Sequence, residues 1–189
     1  MEKETFNILM VGVGGQGIIL SSDILSQTAL NAGYDVKKSE IHGMSQRGGS
    51  VFSHVRFGEK VNSPLIVQGN ADILVSLEMM ETLRWLKWAN KNTQLIVLEE
   101  HLKPAMVETY PEGIKEEIKA KSSKVIFLEP RKIIEQIGLR KYLNVALLGA
   151  VSRFVSFSAD HWNKAISSLV PEGSAEVNLK AFETGKTFE

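Results

Sequence analysis

Between the apolar segment Phe6 to Val11 and the apolar triplet Ile18-Ile19-Leu20 lies a glycine-rich run, Gly12-Val13-Gly14-Gly15-Gln16-Gly17. This order predicts a buried strand that turns sharply into a helix. Such a turn points free backbone N–H groups and the positive end of a helix into one small space, which suits a phosphate or another anion. A second apolar run near Val36 supplies the next strand of a βαβ unit, as a Rossmann-like fold requires. Glycines at this spacing also occur wherever a strand and a helix pack closely, so the motif advertises an anion site before any chemistry. In a dinucleotide fold the acid that holds the ribose lies about twenty residues further on. Glu40 is the candidate here, though it reads more readily as a solvated or cap-forming residue entering a loop. A nicotinamide cofactor is therefore permitted rather than indicated.

The 189 residues suffice for one domain with a substantial core, and no linker or repeat divides them. Lys plus Arg and Asp plus Glu both number 22, so no global field draws the chain to nucleic acid or an anionic membrane. Phosphate binding must rest on local patches. The longest apolar stretches, Val145 to Val151 among them, fall far short of the roughly twenty residues of a membrane span. Met1-Glu2-Lys3-Glu4 lacks the pattern of a signal peptide, and a cytoplasmic protein is expected. With no cysteine, the chain itself offers no disulfide, thiolate nucleophile or iron–sulfur ligation. Its four histidines, His42, His54, His101 and His161, form no recognisable ligand pair, and no metal site is expected.

Strands are expected at Asn7 to Val11, Asp35 to Ile41, Ser50 to Phe57, Ile73 to Leu77, Leu95 to Leu98 and Val125 to Leu128. Helices between most of them imply an α/β fold, a mainly parallel sheet covered on both faces. Ser50 to Phe57, the short turn Gly58-Glu59-Lys60 and Val61 to Ile66 read as an inserted antiparallel hairpin, with Pro64 ending or edging its second arm. Later helices are expected at Pro130 to Tyr142, Val145 to Phe157, Asp160 to Val170 and Ala175 to Thr184, with Asp160 as an N-cap and Gly185 as a stop. Val145 to Val151 is apolar all round and should be core. Lys115 to Lys124 reads as a solvated helix face. Between Met79 and Asn90, Trp85 and Trp88 project roughly opposite Met79, Met80, Leu83 and Leu86. Burial by a neighbouring loop or helix and a subunit interface are both open for them.

The second polar, glycine-rich segment, Ser39-Glu40-Ile41-His42-Gly43-Met44-Ser45-Gln46-Arg47-Gly48-Gly49-Ser50, follows the second strand. Loops at the carboxyl ends of neighbouring strands can share one crevice, so this one can face the turn Gly12 to Gly17. Arg47 offers a planar donor fork for phosphate or carboxylate, and Gly48-Gly49 lets main-chain N–H groups come close. His42 has no carboxylate or nucleophile fixed beside it by spacing and reads as a loop hydrogen-bonder.

Together these two segments resemble the gamma-type subunit or domain of 2-oxoacid:ferredoxin oxidoreductases, the indolepyruvate type in particular. The likeness continues through Asn144-Val145-Ala146-Leu147-Leu148-Gly149-Ala150 and Asn178-Leu179-Lys180-Ala181-Phe182, so it covers nearly the whole chain as one such domain. The resemblance implies a subunit of a complex that oxidatively decarboxylates a 2-oxoacid, aryl pyruvate being the substrate class suggested. Thiamine diphosphate and iron–sulfur clusters would sit on a larger partner subunit, electrons would leave to ferredoxin, and coenzyme A would take the acyl group. The isolated chain would be inactive and would carry no catalytic residue. It would help to bind coenzyme A through Gly12, Gly14, Gly15, Gln16 and Gly17 together with Ser45, Gln46, Arg47, Gly48 and Gly49. The residues alone leave two other readings open, a stand-alone nucleotide-dependent dehydrogenase and a nucleotide-binding regulatory module.

Overall fold

The computed structural model describes residues 5–42, 49–103 and 108–188. A six-stranded sheet in the order β2-β3-β1-β4-β5-β6 organises the chain. Its strands are β1 (Thr5–Val13), β2 (Asp35–His42), β3 (Ser50–Gly58), β4 (Ile73–Ser76), β5 (Gln94–Leu98) and β6 (Val125–Leu128). β1, β4, β5 and β6 pair in parallel, whereas β3 runs antiparallel to both β1 and β2. All six expected strands form; most are short apolar runs bounded by turn residues, and the largely polar β2 is held by its ladder with β3.

The antiparallel hairpin is present with a different second arm. β3 pairs with β2 on one side and β1 on the other, so neither of its edges is open to Val61 to Ile66. That segment is instead pinned as a loop. Asp35 accepts from the Val61 N–H at 2.8 Å, and Arg56 donates to the carbonyls of Ser63 and Leu65 at 2.6 and 3.3 Å. Pro64, with no N–H to offer, lies between these two carbonyls.

Alternate residues of each strand enter two cores. Ile8, Met10, Val55, Ile73, Val75, Ile96 and Leu98 face α1 (Ile18–Asn31), α4 (Pro130–Ile137), α5 (Leu143–Val151), α6 (Ala159–Leu169) and α7 (Ala175–Thr187). Leu9, Val11, Leu74, Leu95 and Val97 face α2 (Met79–Trp85) and α3 (Ile114–Lys121). α5 is buried along its whole length, as its uniformly apolar sequence requires. In α3 only Ile114 and Ile118 are buried and the lysines and glutamates are solvated. Among the described residues no helix is long and apolar enough to cross a membrane.

Several boundaries move for identifiable reasons. α4 stops at Gly138, whose φ of 86° breaks the helix before a 3₁₀ turn at Arg140–Tyr142. α5 likewise tightens into a 3₁₀ turn at Ser152–Phe154. Ser158 caps α6 in place of Asp160, its hydroxyl accepting from the His161 N–H at 3.3 Å. α7 continues through Gly185 to Thr187, because this glycine serves packing and not termination. The Met79–Asn90 segment is not one continuous helix. α2 gives way to a 3₁₀ turn at Leu86–Trp88, which rotates the later side chains onto the core. Trp85 is buried against Phe52 and Trp88, with ring centroids 4.2 and 4.5 Å apart, and Trp88 donates to the Ile66 carbonyl at 3.1 Å. Packing within the chain, on β3 for Trp85 and on the Ile66 loop for Trp88, thus accounts for both tryptophans.

His54 holds that same loop: its Nδ1 accepts from the Ile66 N–H at 3.1 Å, which requires a neutral ring. Burial, with the Arg56 guanidinium nearby, pushes its pKa below the ordinary value. The unfolded imidazole takes up a proton near pH 6.5, the folded one only at lower pH, so stability is complete above that value and falls as pH falls through the window. Thermal unfolding of the chain between about pH 7 and about pH 5.5 is therefore expected to show a steeper loss of midpoint than a His54→Asn variant, which has no imidazole to protonate. Equal slopes would show that the histidine is not held neutral.

Candidate ligand-binding cleft

The chain leaves β1 toward one face of the sheet, through α1, and leaves β4 toward the other, through α2. Loops that part in this way open a crevice at the carboxyl ends of the two strands, the usual place for a ligand in such sheets. A cleft of about 560 Å³ lies there. Gly14, Gly15 and Gly17 form one wall, Leu77 and Leu98 also line it, and Arg140, Lys141 and Asn144 come from the far side.

The glycine turn is held by its own neighbours. Gln16 accepts from the Val13 N–H at 2.8 Å through Oε1 and donates to the Leu77 carbonyl at 2.5 Å through Nε2, so both ends of its amide tie β1 to β4. A Cβ on Gly12 would lie 2.8 Å from Gln16 Oε1 and 2.8 Å from Ile18 Cδ1, which explains the glycine by packing. Gly15 and Gly17 have φ of 101° and 80°, the left-handed region that glycine enters without strain. At Gly17 a Cβ would also lie 2.6 Å from the Asn144 amide nitrogen, which donates to the Gly17 carbonyl at 3.2 Å.

The turn's N–H groups divide into two sets. Gly14 donates to the Gly49 carbonyl at 2.9 Å and Gln16 to the Val13 carbonyl at 3.1 Å, so these amides, with that of Val13, are engaged internally. Among the described residues no acceptor takes the N–H of Gly15 or Gly17, and the first turn of α1 has none within the helix. α1 begins at Gly17 with no side-chain cap and no acidic residue in its first turn. The positive end of a 14-residue helix is thus left uncompensated at the cleft.

Opposite it, Arg140 pairs with Glu100, whose side chain is only 4% exposed against 62% for the arginine. The pair also borders a second hollow of about 610 Å³ that includes His101, Arg131 and Glu135. Lys141 adds a second cation over the Tyr142 ring, 5.0 Å from its centroid. An anion entering the cleft would meet helix amides on one side and, on the other, Lys141 and Arg140, the latter paired with Glu100, which lines the cleft as well.

Of the residues singled out in the sequence, Gly14, Gly15, Gln16 and Gly17 line the cleft, and Gly12 supports them from beneath. Gly49 meets the turn through its carbonyl. Ser45, Gln46, Arg47 and Gly48 lie outside the described residues. Glu40 is in β2, which β3 separates from β1, so it stands one strand spacing, roughly 5 Å, further along the sheet than the ribose-binding acid of a dinucleotide fold. There it pairs with Lys38 at 2.9 Å. Sequence reasoning missed Glu100, Arg140, Lys141 and Asn144, which reach the cleft from the loop after β5, the α4–α5 connection and the first turn of α5. The one available signal was the Arg140-Lys141 pair just after a helix-ending glycine.

The chain belongs to the pyruvate ferredoxin/flavodoxin oxidoreductase family, whose model matches residues 7–188. It is 36% identical to the indolepyruvate oxidoreductase subunit IorB of Pyrococcus horikoshii, over 95% of this chain and 94% of that one. In fold it is similar to the keto/oxoacid ferredoxin oxidoreductase gamma subunit of Geobacter sulfurreducens, with a TM-score of 0.71, 24% identity and coverage of 97% and 95%. It is also similar to the 2-oxoglutarate:ferredoxin oxidoreductase of Magnetococcus marinus, solved with 2-oxoglutarate, coenzyme A and succinyl-CoA bound. That likeness has a TM-score of 0.72 and 21% identity, and it covers 98% of this chain but 31% of the longer one.

Proposed function

We propose that, within the 2-oxoacid:ferredoxin oxidoreductase of which it is a subunit, this chain binds the phosphate-bearing end of coenzyme A. The cleft between the α1 N-terminus and Arg140 and Lys141 receives it, and the segment Ser45 to Gly49 adds a second arm. The observation that carries this reading is the uncapped helix end facing two cations across a cleft of ligand size. Gly15 supports it further, since nothing lies within 4 Å of where a Cβ would stand and a ligand has free approach to the backbone. The Gln16 side chain shapes this cradle from within.

A larger partner subunit carries thiamine diphosphate and the iron–sulfur clusters and passes electrons to ferredoxin, in keeping with a chain that has no cysteine to ligate a cluster. Aryl pyruvates are the substrate class, on the strength of the relative from Pyrococcus horikoshii. A stand-alone dehydrogenase is disfavoured by the displaced Glu40.

Purification of the native complex tests this. The chain is expected to bring with it a cysteine-rich thiamine protein, and the pair to reduce ferredoxin with indolepyruvate only when coenzyme A is present. Hydride transfer to a nicotinamide by the chain alone would overturn the reading.

A further inference from the structure

Glu81 is a buried carboxylate that the fold of α2 does not need. The helix is already capped by Glu78, which accepts from the Glu81 N–H at 2.9 Å, and the Glu81 side chain is turned to other donors. Its Oε2 takes the Ser50 hydroxyl at 2.5 Å and the Trp85 indole N–H at 3.2 Å, while its Oε1 faces Arg84 at 3.4 Å. A carboxylate 4% exposed is costly unless such donors are fixed in place.

Ser50 is the first residue of β3 and stands opposite Val13 in the ladder. The residue before it, Gly49, accepts the Gly14 N–H at 2.9 Å. A continuous path thus runs from α2 through Glu81, Ser50 and Gly49 to the first amide of the glycine turn. On the other flank Gln16 ties the same turn to β4. We infer that Glu81, acting through the Ser50 hydroxyl, is a positioning residue for the glycine turn. It fixes where the ligand-facing amides of Gly15 and Gly17 stand without touching the ligand. A turn held in advance loses less freedom on binding, and this raises affinity. The inference rests on the cleft being the coenzyme A site.

Two variants of nearly equal shape isolate the hydroxyl. Ser50→Thr keeps it and Ser50→Val replaces it with a methyl, both residues suiting a strand. In the full-length chain, hydrogen exchange at the Gly14 amide is expected to stay slow in Ser50→Thr and to quicken in Ser50→Val. In the assembled complex, the coenzyme A dissociation constant is expected to stay within about twofold for threonine and to rise roughly fivefold for valine, since the lost hydrogen bond acts on the ligand only through the turn and just part of its worth is felt there. Should the valine variant not assemble, Ser50→Ala takes its place with the same expectation. Equal exchange and equal affinity in the threonine and valine variants would overturn the inference. Arg140→Ala is measured alongside: if it leaves coenzyme A affinity unchanged, the cleft assignment fails, while Gly14 exchange still decides whether Ser50 holds the turn.

Discussion

Gly149→Ala and Gly185→Ala are each expected to lower the melting temperature of the chain sharply. α5 and α7 cross so closely that a Cβ on Gly149 would lie 1.9 Å from the Phe182 carbonyl oxygen, and one on Gly185 would lie 1.7 Å from the Ala146 carbonyl oxygen. Both obstacles are main-chain atoms of helices, so no rotamer change relieves them. The two helices would have to separate, and α5 is buried along its whole length. Overpacking a well-filled core typically costs about 1–3 kcal/mol, and a clash with fixed backbone belongs at or above the top of that range. In a domain of this size each kcal/mol moves the melting temperature by about 2–4 °C, so a loss of at least about 6–12 °C is expected. Gly33, with nothing within 4 Å of a Cβ but a φ of 87°, is the comparison site, where the cost comes from backbone conformation alone. Circular-dichroism melts of the three alanine variants check this, and a wild-type midpoint for Gly149→Ala would show that the helices are further apart than described.

The largest functional effect is expected at Arg140, in opposite directions for the two members of its ion pair. Arg140→Glu removes a planar cation from the cleft and adds a like charge where a phosphate would sit. One lost hydrogen bond to a charged group is worth about 1.5–3 kcal/mol before repulsion is added, so coenzyme A should bind at least about thirtyfold more weakly. Glu100→Gln acts oppositely. It removes the buried carboxylate that pairs with the guanidinium and frees Arg140 for the ligand, so affinity should rise by a few-fold. The pair is only half buried, since Arg140 is 62% exposed, and its contribution to stability is screened accordingly. Isothermal titration of the assembled complex with coenzyme A resolves both signs. Weakening by both variants would mean that the pair acts as a structural brace and not as a ligand-responsive contact.

What the sequence revealed and what it concealed follow from how far each signal reaches along the chain. Strands such as Ile73–Ser76 and Gln94–Leu98 and the buried helix Leu143–Val151 were legible because burial on both sides leaves a continuous apolar run. The glycine turn was legible because its conformation demands residues that few other contexts need. The partner of β3 was not, since neither Val61 to Ile66 nor the largely polar Asp35 to His42 carries an apolar pattern that names it as the neighbour. The choice was made by Arg56 and Asp35, whose side chains take the loop's backbone groups. The far wall of the cleft was equally hidden. Arg140 and Asn144 lie more than a hundred residues from Gly17, and only the order of strands brings them to it. Gln16 shows the converse case: a residue in the right motif, at the right place, whose amide is used up inside the turn.

A cryo-electron microscopy map of the assembled complex with coenzyme A bound tests the cleft assignment most directly. Phosphate density is expected within hydrogen-bonding reach of the Gly15 and Gly17 amides, with the Arg140 guanidinium turned toward it. Coenzyme A density lying wholly on the partner subunit, with this cleft containing only solvent, would contradict the assignment.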